Sequence, residues 1–61
     1  MRLIAHSGKI ELFRNPVNGC LTISLGYEGN IHRQMMYQPH EALIAEETFK
    51  LLCNRKKITW H

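Results

Sequence analysis

Six side chains in this 61-residue sequence could bind a transition metal or pair a nucleophile with a base: His6, His32, His40, His61, Cys20 and Cys53. Structural zinc sites draw their thiolates and imidazoles from closely spaced pairs. The chain has no Cys-x2-Cys and no His-x3-His, and Cys20 precedes His32 by twelve positions without a second pair. The spacing therefore predicts no metal and no cofactor, with the thiols acting as small apolar fillers and the histidines as surface groups. A Cys/His nucleophile needs hydrogen-bond reach and an orienting third group. Cys20 and His32 can share one sheet face, but no third group accompanies them. Cys53 falls on the apolar stripe of a helix, where a thiol is shielded and inert. Glu46 and Glu47 are adjacent on that helix and diverge, so they cannot work as an acid/base pair. The absence of Asp argues against calcium loops, and Gly26 and Gly29 lack the Lys-Ser/Thr of a phosphate loop. The expectation is a protein that is not an enzyme.

Charge leaves a second chemistry open. Eight Lys/Arg face five Glu, giving a net charge of +3 and a pI near 9.2. Lys50, Arg55, Lys56 and Lys57 carry half of the positive charge, with Trp60 close by. Cations are favourable at a helix C-terminus whatever the function. The alternative is nucleic-acid binding, DNA included, in which Lys9, Arg14, Arg33, Lys50, Arg55, Lys56 and Lys57 contact phosphates. A bare sheet face would add Thr22, Ser24, His32 and Gln34 as hydrogen-bonding groups, with Glu11 among them as a repulsive element.

The elements that must position these groups follow from periodicity. Arg2–His6 and Lys9–Arg14 flank Ser7-Gly8, a candidate two-residue turn. Asn15-Pro16-Val17-Asn18-Gly19 is the strongest turn signal. In 20–27, Leu21, Ile23 and Leu25 alternate with Cys20, Thr22 and Ser24, as in a strand with one face on a core. Gly26 is a candidate bulge, and Glu28-Gly29-Asn30 turns the chain into 31–37. Arg33 falls on the apolar side there, as if near an edge. From Pro39 the period becomes helical: Ala42, Ala45, Phe49, Leu52 and Cys53 form a stripe, Glu46 precedes Lys50 by four, and Asn54 is a stop signal. Residues 58–61 read as a short strand or a frayed tail, and residues 1–14 as two strands or one kinked at Gly8.

These segments make a single α+β domain over 1–61. It comprises a three- to four-stranded antiparallel meander and one C-terminal helix packed on one face, with a possible short final strand. One helix shelters one side of a sheet, so the reverse side must meet water, a partner or a second copy. A chain this short buries only about 60% of the surface it exposes when unfolded. Phe13, Met36, Leu43 and Trp60, rimmed by Arg33, are accordingly expected to anchor another protein or a second copy of the chain. The function expected is that of a small accessory or regulatory module, most simply a homodimer. No leader precedes the first strand and no apolar run approaches the ~20 residues of a membrane span, so a cytoplasmic location is expected.

Overall fold

The structure, a computed structural model, describes residues 1–61. Five strands form one sheet: β1 (Arg2–Ser7), β2 (Ile10–Arg14), β3 (Leu21–Glu28), β4 (Ile31–Tyr37) and β5 (Thr59–Trp60). Their order is β4-β3-β2-β1-β5, and every neighbouring pair is antiparallel. A 3-10 turn at Pro39–Glu41 leads into the helix α1 (Ala42–Cys53). The α+β meander with one C-terminal helix is therefore the architecture found, and residues 1–14 make two strands. The last residues are a fifth strand on the far side of β1. No helix is long and apolar enough to cross a membrane.

The first turn lies one residue later than its sequence indicates. Ser7 pairs with Ile10, so Gly8 and Lys9 form the loop, with Gly8 at φ +59°. Ser7 extends the alternation of Ala5 and is buried with it on the helix side. The Asn15–Gly19 turn closes through two backbone bonds, Asn15 N–H to the Cys20 carbonyl and Gly19 N–H to the Asn15 carbonyl, and is braced by side chains: Asn15 Oδ1 accepts from the Val17 N–H and Asn18 Oδ1 from the Cys20 N–H, both at 2.9 Å. Only Gly19 uses the left-handed region, at φ +77°.

Helix α1 starts where Pro39 fixes φ and the Gln38 N–H donates to Glu41 Oε1 at 2.9 Å. It stops at Asn54, whose N–H still bonds the carbonyls of Lys50 and Leu51 but whose left-handed backbone (φ 46°) turns the chain out of the helix, so that the Lys56 N–H reaches the Cys53 carbonyl. Ala45, Phe49 and Cys53, spaced by four, seat the helix on β2 and β3. They meet Ala5, Leu12, Leu21 and Ile23 in the fully buried core, with Ile10, Leu25 and Met35 partly covered around it. Trp60 sits on the same side: its ring meets Phe49 edge-on at 6.2 Å between centroids, and Lys50 Nζ lies 6.0 Å from the Trp60 centroid.

Candidate functional site

Cross-strand register decides which side chains share the uncovered face. Phe13, Thr22 and Met36 lie opposite one another in one row, and Glu11, Ser24 and Gln34 in the next. Both rows alternate with the core-facing Leu12, Ile23 and Met35, so they point away from the helix. The pairing shifts between Ser24 and Gly26, with Gly26 at φ +86°, and Tyr27 then stands opposite His32. That bulge brings the Tyr27 and His32 rings into a stack at 4.7 Å. It also sets His32 Nε2 2.8 Å from Ser24 Oγ. At the other side of the face His6 and His61 stack at 4.9 Å, with His6 Nδ1 2.8 Å from His61 Nε2.

A shallow hollow of about 620 Å³ opens between Lys9, Glu11, Phe13, Ser24, Tyr27 and His32. Met1 lies across the same region, its sulfur 3.9 Å from the Thr22 hydroxyl. Thr22 and Ser24 belong to the inner strand β3 and are nearly covered by these neighbours, at 4% and 5% exposure. The face thus presents five rings (His6, His61, Phe13, Tyr27 and His32) interleaved with hydrogen-bonding groups.

Ser24 and His32 form the nucleophile–base contact of a hydrolytic dyad, but His32 is oriented by stacking on Tyr27 and not by a carboxylate. Cys20 lies apart from His32, half-buried beside Met36, Tyr37 and Gln38, and Cys53 is 1% exposed in the core. No three His, Cys, Asp or Glu side chains converge as metal ligands would.

The anchors read from the sequence fall on separate surfaces. Phe13 and Met36 are neighbours on the uncovered face. Leu43 projects from the outer side of α1 at 78% exposure, whereas Trp60 is half-buried against Phe49. Arg33 stands at the β3–β4 end, bonded to Glu28 Oε2 at 2.8 Å, with its head in solvent as its edge position implied. Among the basic positions only Arg33 and Lys50 have acidic partners, Lys50 meeting Glu46 at 3.3 Å. Arg14 lies opposite Arg2 at one end of the strands. Lys9 occupies the turn at the other end, where the Arg55-Lys56-Lys57 connection also enters β5.

Sequence reasoning placed Ser24 and His32 on one face but missed their contact, because the contact depends on the bulge. It also missed both ring pairs, but the apolar stripe of the helix, extended by Ile44, Thr48 and Leu51, is wider than one sheet contact needs, and part of it is left exposed on a flank of α1. That flank carries Ile44 at 58% and Leu51 at 77% exposure, with Leu52 at the boundary. Comparison of the chain with protein-family models, curated proteins and solved structures finds no match in any of the three.

Proposed function

We propose that the protein is a non-enzymatic, cytoplasmic binding module that self-associates, two copies joining through β4 and the adjoining flank of α1. The observation that carries this reading is the unequal protection of the two sheet edges. One edge, β5, is two residues long, whereas the other, β4, runs seven residues without proline. Proteins normally blunt a long free edge with proline, bulges or clustered charge, and β4 bears only Arg33.

The helix flank beside that edge is apolar. Thr48 is two residues, or about 200°, round the helix from Lys50. Since Lys50 faces Trp60 on β5, the row Ile44, Thr48 and Leu52 faces the β4 side. The total accessible surface, 4661 Å², exceeds the roughly 4,100 Å² expected of a monomer of this mass. Burying exposed surface is what a small chain gains from a partner.

A second copy fits the edge without conflict. Antiparallel pairing of β4 with itself about a twofold axis centred on Gln34 sets Ile31 opposite the other copy's Tyr37, His32 opposite its Met36 and Arg33 opposite its Met35. No like charges meet, and the contact is self-complementary. Analytical ultracentrifugation is expected to show a species of twice the 7.2 kDa chain mass, and Ile44→Glu to return it to monomer with an unchanged circular dichroism spectrum. Gln34→Cys, made with Cys20→Ser, is expected to form a symmetric disulfide, because opposed Cα atoms in such a pair lie ~4.5–5.5 Å apart. A strict monomer at ~200 µM (a concentration well above the micromolar affinities typical of weak complexes) and no cross-link would overturn the reading.

A further inference from the structure

From the uncovered sheet face we infer a second binding site, one for single-stranded nucleic acid. Its rings stack on bases, and the cations at the two ends of the strands meet phosphates. All of its residues come from one chain, and β4–β4 pairing lies in the plane of the sheet, so the site stands whether or not the protein dimerises.

Three observations on separate groups carry it. First, the rings lie on the open face, where planar ligands can reach them. Tyr27 is 74% exposed and stacked flat on His32, and His61 lies flat on His6. Phe13 stands between these two pairs on β2. The rows of Met36 and His32 are four residues apart on β4, or about 14 Å along the strand. That is room for more than one base along a face whose hollow is shallow and open to solvent.

Second, the charge is segregated. Six of the eight cations have no acidic partner: Arg2, Arg14, Lys9, Arg55, Lys56 and Lys57. Arg2 and Arg14 are cross-strand neighbours at one end, in the helix-side row of Leu21; both line a hollow with His61 at that rim, from which their long side chains can reach round to the open face. The others cluster at the opposite end. Like charges directly opposite each other are unfavourable in an isolated sheet, and an anion between Arg2 and Arg14 relieves them.

Third, Glu11 shares a cross-strand row with Ser24 and Gln34, and Lys9, two residues before it, is the one cation lining the same hollow. A carboxylate there would repel phosphates but accepts hydrogen bonds from exocyclic amino groups of bases. Bases over the centre and backbone at the margins satisfy both signs of charge. A duplex presents the reverse, with phosphates outermost and base faces stacked inside, so it cannot use the rings.

Fluorescence anisotropy with labelled 20-mers tests this, using single-stranded DNA, single-stranded RNA of the same sequence, and duplex DNA. Binding of single strands over duplex is expected, and the DNA and RNA arms show which sugar is preferred. Tyr27→Ala, which removes a ring far from the core, and Phe13→Leu are each expected to weaken binding by about 5- to 150-fold, the loss of one stacked base. Arg2→Ala with Arg14→Ala is expected to flatten the log–log salt dependence by about 1.4, at ~0.7 per phosphate on a single strand. Tighter binding to duplex than to single strands, or an affinity untouched by Tyr27→Ala and Phe13→Leu, would overturn the inference. So would no binding of any 20-mer at ~50 mM salt, where phosphate contacts are strongest. The monomeric Ile44→Glu variant must bind single strands as well, which separates this result from the fate of the dimer.

Discussion

Replacing Trp60 with alanine measures how far the last strand belongs to the core. Trp60 is 48% exposed, so about half of its side chain leaves water on folding. A buried aromatic covers ~150–250 Å². Half of that, at ~25 cal/mol per Å², corresponds to about 2–3 kcal/mol. The edge-on contact with Phe49 adds about 0.5–1.5 kcal/mol. These values are upper bounds, because an unfolded chain already hides part of this surface. A loss of roughly 2–3 kcal/mol is therefore expected, against a total of about 3–9 kcal/mol for a chain of this length.

Phe49, with no exposed surface in the native fold, would then meet solvent along the side that Trp60 now covers. Trp60→Phe keeps a ring at the same place and is expected to lie within about 1 kcal/mol of the parent. The assay is urea denaturation followed by far-ultraviolet circular dichroism, at one fixed protein concentration so that any dimer contributes equally. At a slope near ~1 kcal/mol per molar, Trp60→Ala should lower the midpoint by about 2 M or more. A midpoint within about 0.5 M of the parent, by the same slope, would refute the reasoning and return Trp60 to the role of a free surface anchor.

Two further outcomes follow from backbone geometry, both read from urea midpoints. Gly8 and Gly19 both have positive φ, but a Cβ on Gly8 meets open space while one on Gly19 comes 3.4 Å from Cβ and Cγ of Pro39. Gly8→Ala and Gly19→Ala should therefore each cost about 1 kcal/mol of left-handed strain, the contact at Pro39 being of ordinary van der Waals length; no loss at either position would contradict the positive φ. Arg55 follows the helix stop with φ 69°, a conformation costly for a long side chain, so Arg55→Gly should stabilise the fold by about 0.5 kcal/mol. A destabilised variant would mean that Arg55 makes a contact the geometry does not show.

Much of the fold was legible because the signals were local. The alternation of Leu21, Ile23 and Leu25 assigned the core face of β3, and Asn54 marked the end of α1 with its left-handed backbone. The Glu46–Lys50 pair followed from a spacing of four. Face assignments placed Thr22, Ser24, His32 and Gln34 together on the uncovered side. The bulge at Gly26 was legible from its glycine, but the partners it creates were not, and neither the slip of one residue at Gly8-Lys9 nor the shift in pairing between Leu3 and Ala5 carried a signal. Leu43, Trp60 and Phe13 all read as surplus apolar groups, and composition has no means of telling that they lie on three different surfaces.

The amino-acid order by itself determined the succession of strands and helix, their two faces and the stops between them. Each of these depends on periods of two to four residues and on backbone preferences at single positions. Tertiary structure alone decided that the chain returns across the sheet after α1, so that β5 pairs with β1 and leaves β4 free. That return brings together His6 and His61, 55 positions apart, and sets Trp60 on Phe49. No short-range pattern encodes such meetings, because they depend on where a compact helix can lie over a twisted sheet and which edge the chain then reaches.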